Sequence, residues 1–568
     1  MNLTRKALCL AWLAGFGIGE LTTRDLAHAA EPDKTVASGT AASAGTNVEL
    51  QLIERRIARL KALPAPPQPP VIAGSELAPV DAFITAGWSN DSANKNVKPG
   101  LCDDATFARR VYLDVVGTIP PLLELNKFLL DRSPTKREKL VDQLLARNEA
   151  YAAHWAPYWE DALGSQHVTT QGGIPTRGNY RDWIVQSFSK NRPFDVLVAE
   201  LLDPTMPGRR ESITQEIFGQ KFSIDFVRND THVDTLQTAA NVGQVFLGTS
   251  MKCASCHDHF DNVEWSQDRF LAFAGLFAPK DLEKIRCEVK SGVQVPAKFP
   301  FALPNAPSTA PIDLRERLHL AAQQIVDPAN PRFAKTIVNR LWRRYLGLGL
   351  FEPADDYREN TRASHPELLE WLAHDFLAHG CDLKHTIRVI LTSRTYQLKY
   401  DPKLADRFEI TRRDAPRYFR SPSLRRLTCE QVFDSIRVAT TGELAPGERA
   451  FLDSRSTALM RALGRPASRN EISTARPDDV AVVQSLELLN GPELHELIDT
   501  NLSFAKPLPK TNVAAAVDQL YRKILSRPAS AEEKKVGTQF LQSFDTFNDG
   551  LRDVYWALIV SPEFQYLR

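Results

Sequence analysis

Methionine and cysteine are scarce in this chain, four and seven among 568 residues, and histidine occurs 12 times. A place where these residues crowd together therefore carries information. A basic surplus is missing as well: 70 Lys and Arg stand against 69 Asp and Glu, which argues against a general nucleic-acid binder. After the first residues there is no apolar stretch long enough to span a bilayer. Nor is there a G-x-S-x-G, an H-E-x-x-H or a phosphate-binding glycine loop, so the familiar signatures of serine hydrolases, zinc proteases and nucleotide-binding enzymes are absent. No fixed-period repeat marks a solenoid. What remains has ordinary globular composition and length for several cores.

The scarce residues concentrate at Met251-Lys-Cys-Ala-Ser-Cys-His-Asp-His-Phe260. Cys253, Cys256 and His257 spell C-x-x-C-H, the pattern of c-type haem attachment. Two thiols at this spacing reach the two vinyl groups of one porphyrin, and the next histidine lies beneath the iron as proximal ligand. Two other readings use the same atoms. Cys253, Cys256, His257 and His259 form a compact set for tetrahedral zinc, and the two thiols alone would form a disulfide in an oxidising compartment. A haem also needs a sixth ligand or an open face. By distance along the chain His232, His154, His167 and Met206 are the candidates, whereas Met251 and His259 sit on the proximal side.

The N-terminus reads as an export signal over residues 1–29: Arg5 and Lys6, the apolar run Ala7 to Gly19, then Ala27-His28-Ala29 before the cut. Periplasmic or secreted location suits haem attachment, and would allow Cys102, Cys287, Cys381 and Cys429 to pair. Residues 30–75 read as a flexible tether, a short helix from Val48 to Leu63 and the stiff spacer Pro64 to Pro70. From there the periodicity is helical almost throughout. The expected fold is mainly α: one helical domain over 76–305 with the Cys motif, another over 306–568, and a small β excursion near residues 285–303. The motif falls on a turn between an apolar helix containing Leu236, Ala239, Ala240, Gly243, Phe246 and Leu247 and one containing Phe270, Phe273, Ala274 and Phe277, opened by Ser266. Ser364-His-Pro-Glu367 reads as a capping box.

Longer blocks carry a resemblance. RRVYLDVVGTIPP (Arg109 to Pro121), HWAPYWEDAL (His154 to Leu163), YRDWI (Tyr180 to Ile184) and VFLGTSMKCASCHDHFD (Val245 to Asp261) are similar to a planctomycete-type cytochrome-like domain of unknown function. NPRFAKTIVNRLWRRYLGLGL (Asn330 to Leu350), SHPELLEWLA (Ser364 to Ala373), RRLTCEQ (Arg425 to Gln431), LELLNGPEL (Leu486 to Leu494) and LYRKILSRPAS (Leu520 to Ser530) resemble the domain that usually follows it. The resemblance implies a secreted or periplasmic protein with haem attached at Cys253 and Cys256 and ligated by His257, with His259 completing the extended motif. It implies no established reaction and no catalytic residue. Relatives often carry another cytochrome c domain nearer the N-terminus; only tether and linker stand there in this chain, and Phe270 replaces a common aromatic hydroxyl. The function expected is single-haem electron transfer to a redox partner protein, against a zinc- or disulfide-containing periplasmic hydrolase or binding scaffold.

Three further features have plainer readings. The aromatic stripe His154, Trp155, Tyr158, Trp159 reads as core packing. The run Arg412, Arg413, Arg417, Arg420, Arg425 and Arg426 around Tyr418 and Phe419 reads as a solvated loop or as domain-interface ion pairs. Asp355, Asp356 and Glu359 are an acidic loop rather than a cation site.

Overall fold

The computed structural model describes residues 38–165, 181–206, 215–217, 220–222, 235–286, 289–453, 455–469, 472–476, 482–502 and 512–568. Among these are 22 α-helices and three two-stranded antiparallel sheets, so the chain is mainly α. The β excursion is the hairpin Leu282–Arg286 with Val289–Val295, which begins slightly earlier than expected and stops at Val295, so residues 296–303 are not strand. The export signal lies outside the described residues. The helix expected from Val48 begins at Ser38 and ends at Ala62. Its early part is rich in Ala and Ser without Pro, which a helix accepts once its later turns are anchored. That anchoring is ionic: Arg56 reaches the buried Asp195 at 2.6 Å, and Arg55 and Arg59 reach the buried Asp327 at 3.6 and 3.3 Å.

One hydrophobic core runs from Val80 to Tyr396 and takes in Phe419 and Phe451, and a second joins Leu427 to Leu567 with Leu113 and Ile119. The Pro-rich boundary near residues 304–311 therefore does not divide the core. Arg317 donates to the carbonyl of Gly275 at 2.9 Å and pairs with Asp281 at 2.9 Å, stitching the next helix, Leu314–Ile325, onto the first half. The helix Asp104–Val115 serves both cores, turning Val111 and Tyr112 to one and Leu113 to the other.

Two helices frame the Cys motif. Thr235–Leu247 buries Ala239, Ala240, Gly243, Phe246 and Leu247 as expected, leaves Leu236 half-buried, buries Val242 and Val245 as well, and ends at Gly248 with φ +60°. That left-handed residue closes the helix, and a Cβ there would stand 2.7 Å from Thr336 Oγ1. The next helix, Gln267–Ala274, starts where Ser266 accepts from the Arg269 amide. The capping box expected at Ser364 does not form. His365 is the N-cap and makes no side-chain cap bond. The Ser364 hydroxyl instead accepts from the Arg417 amide at 3.1 Å, a tertiary partner taking the place of the local one.

Candidate functional site

Cys253 lies in a short 3-10 turn, Lys252–Ser255, with Cys256 as its C-cap and His257 just after it, and the alternation of burial fixes which side chains face water. Met251, Ala254 and Ser255 are buried, and Met251 packs into the space left by Gly243. Cys253 and Cys256 are exposed, free thiols and His257, next in the chain, is exposed; no three of Cys253, Cys256, His257 and His259 have ligand atoms within 4.8 Å of one another. His257 Nδ1 lies 2.6 Å from the carbonyl oxygen of Asp258. A carbonyl only accepts, so Nδ1 is the donor in this contact, the tautomer in which a neutral imidazole presents Nε2 to a metal. Asp258 itself is committed, its carboxylate accepting from the Gln267 amide at 2.8 Å and so tying the turn to the next helix. His259 is used structurally: its Nδ1 accepts from the amides of Asp261 and Asn262 at 3.2 and 2.9 Å. Burial, and after it the Arg358 charge, lowers its pKa and favours this neutral form.

A loop from the second half clamps the turn on both sides. The Tyr357 amide donates to the Gly248 carbonyl at 2.8 Å, and Thr249 pairs with Asp356 in an isolated antiparallel bridge. Downstream, Arg358 donates to the Asp261 carbonyl at 2.8 Å and its carboxylate at 2.6 Å. Glu264 is held bidentately by Arg332 at 2.8 and 2.8 Å, with both side chains almost fully buried. The Arg332 guanidinium stacks over Tyr357 at 4.2 Å. The motif is thus a solvent-facing turn whose two ends are fixed by neighbouring chain.

Residues 79–281 match the family PSCyt2, protein of unknown function (DUF1549), and residues 316–450 match PSD1, protein of unknown function (DUF1553). Two domains of unknown function stand in order in this chain. No curated protein and no solved structure matches it. The Cys motif falls in the PSCyt2 segment, and the clamp, Asp356 to Arg358, comes from the PSD1 segment.

The other residues singled out from sequence are placed as follows. His167 and His232 lie outside the described residues, as does Cys287. Met206 is buried against Val196 and Ala199. His154 is buried in the wall of a cavity of about 200 Å³ between the PSCyt2 and PSD1 segments, to which residues 251–260 contribute nothing. Cys102, Cys381 and Cys429 are buried free thiols, and burial pushes the pKa of each upward. Trp155 and Trp159 are core residues, as the stripe implied, while His154 and Tyr158 turn to the cavity. Two of the basic run form contacts between the matched segments, Arg420 with Asp91 at 2.7 Å and Arg425 with Asp114 at 2.6 Å, while Arg417 binds the Gly349 and Leu350 carbonyls, each at 3.1 Å, within the second. Asp355 is taken by Arg340, and Asp356 by Arg358 and Arg413.

Sequence reasoning passed over two clusters. Asp375, His379 and His385 have ligand atoms within 4.8 Å of one another, the only such group of three among the described residues. Asp375 and His379 at i and i+4 on a helix were the available signal. The two rings stack at 3.6 Å and 16°, so their in-plane lone pairs run side by side rather than converging on one point. His385 Nε2 also bonds Asp375 at 2.8 Å, and His379 Nδ1 donates to the Asp375 carbonyl at 2.9 Å. The arrangement is a hydrogen-bonded tie between consecutive helices. The second cluster is the cavity, whose walls are too scattered along the chain for any local pattern.

Proposed function

We propose that this chain is an exported c-type haem-binding protein that transfers electrons through one haem, attached at Cys253 and Cys256 and ligated by His257. The observation that carries the reading is the 2.6 Å contact of His257 Nδ1 with the Asp258 carbonyl, which makes Nδ1 the donor, together with the free exposed thiols of Cys253 and Cys256. That is the second-contact arrangement that orients an imidazole toward a metal. The donor set fits the group. Each thiol adds across a vinyl bond, its sulfur taking one carbon and its hydrogen the other, so no external oxidant is needed. When bound, haem supplies one-electron redox chemistry.

The protein's part is to hold the thiols and imidazole on a surface turn clamped at both ends, with an apolar skirt beside them. Phe260 is 80 % and Val263 93 % exposed. Such a skirt gives the attached group a partly dry seat while leaving an edge open to a redox partner. The N-terminal apolar segment supports a periplasmic or secreted location.

Co-expression with a haem-maturation system tests the proposal. A Soret band that survives denaturation and disappears in Cys253→Ala, Cys256→Ala is the expected result. Stoichiometric zinc without that band, or a quantitative Cys253–Cys256 disulfide after co-expression, would replace the proposal with the zinc or disulfide alternative.

A further inference from the structure

The cavity between the two halves is walled largely by arginines and carboxylates, and Glu352 just outside it pairs with Arg343 at 3.2 Å. Seven arginines and five carboxylates line it. Every one of those carboxylates is already held: Asp114, Asp355 and Asp434 by one arginine each, and Asp161 and Glu430 by Arg476 together.

Arg344 stands apart. Among the described residues its guanidinium has no carboxylate partner. Its Nη2 donates to His154 Nε2 at 2.9 Å, and its plane lies 4.4 Å from the ring centre of Trp155. His154 does not supply the missing negative charge and adds no positive one. Burial first, then the charges of Arg344 and Arg449, push its pKa well below the usual range, so the imidazole is neutral and accepts the bond. Its position is fixed by close packing: a Cβ on Gly117, which has φ +78°, would stand 2.5 Å from His154 Nδ1. A guanidinium held by a neutral acceptor on one edge and an aromatic face on another retains its charge and its remaining donors. Tyr158 and Phe451 add aromatic surface to the same cavity.

We propose that this cavity binds a small organic oxyanion, with Arg344 as the fork for its carboxylate, sulfate or phosphate group. The chemistry follows from the Arg344 guanidinium, held by a neutral imidazole and an aromatic face, with its planar donors in a partly desolvated space. Because the walls come from both matched segments, and from Ser473 to Arg476 beyond them, the bound anion bridges the two halves. This site is independent of the haem proposal.

The test uses the full chain carrying Cys253→Ser and Cys256→Ser, so that cofactor loading does not enter. Calorimetric titration and thermal melts are run with succinate, sulfate and phosphate against chloride at matched ionic strength, which separates the three anion classes. Saturable binding of at least one, with a rise in Tm, is expected. Arg344→Gln weakens that binding by about tenfold or more, as loss of a charge-assisted bond requires. Arg388→Gln, which removes an exposed pair with Asp142, leaves it unchanged. Should Arg344→Gln fail to fold, selenate-soaked crystals of the parent give the location directly, with an anomalous peak expected beside Arg344. Three results each overturn the proposal: no binding beyond chloride, binding indifferent to Arg344→Gln, or selenate as an adventitious ion only, at other sites.

Discussion

A few residues whose neighbours leave no slack carry the geometry of both sites. Gly117 is one, with φ +78° and His154 Nδ1 2.5 Å from where a Cβ would go. Backbone strain alone costs about 1–3 kcal/mol for a side chain in such a region. Gly117→Ala is therefore expected to lower stability by at least that amount in chemical denaturation. A change below about 0.5 kcal/mol, the range of an unremarkable surface site, would contradict the packing described. Gly248→Ala tests the same physics at the entrance to the Cys motif, where Thr336 blocks the added methyl. The C-x-x-C-H pattern itself was legible because its chemistry is local. The imidazole's orientation was not, since it depends on one backbone carbonyl that no residue type specifies. The same holds for Ser364, whose capping signal was overridden by the amide of Arg417, more than fifty residues away.

At the scale of elements, the motif turn depends on chain that is distant in sequence. Glu264 and Arg332 form a buried bidentate pair that fixes the downstream end of the turn to the second half. Removing one partner of a buried pair costs up to about 3–5 kcal/mol, and here Glu264 would keep the Arg269 guanidinium at 3.5 Å and the Glu359 amide at 2.8 Å. Arg332→Ala is expected to destabilise the chain by that order and to lower haem incorporation, read as covalent haem per chain. Equal stability in the variant would show that these remaining partners suffice for Glu264. The helices flanking the motif were readable from their spacing, because a 3.6-residue period marks a buried face whatever lies opposite. The clamp from Asp356 to Arg358 was not readable, because an acidic loop looks the same in sequence whether it is solvated or paired with arginines.

For the molecule as a whole, the mainly α fold and the order of its two halves were legible, while the way they fuse was not. The Pro-rich stretch near residue 305 separates the two matched segments, yet one core runs through it, and the second large core is built mainly from residues after Leu427. Ionic contacts join the parts, and they set the acid response. Burial pushes the Glu430 carboxyl up, but the charges of Arg476 and Arg465 outweigh it and bring the pKa down to about 2. Because that value lies below the ordinary 4.5, the stabilisation from Glu430 is full above about pH 4.5 and is lost as pH falls toward about 2. The stability gap between the parent and Glu430→Gln is expected to be largest near neutrality and to shrink through that window in urea melts at stepped pH. A gap that widens on acidification would contradict the pairing. The central claim concerns the turn at Cys253, and intact mass spectrometry tests it most directly. For protein matured with haem, unfolded in acid and stripped of loosely bound groups, the account predicts a mass gain of one haem per chain, absent from Cys253→Ala, Cys256→Ala. An unmodified polypeptide mass under the same conditions would contradict it.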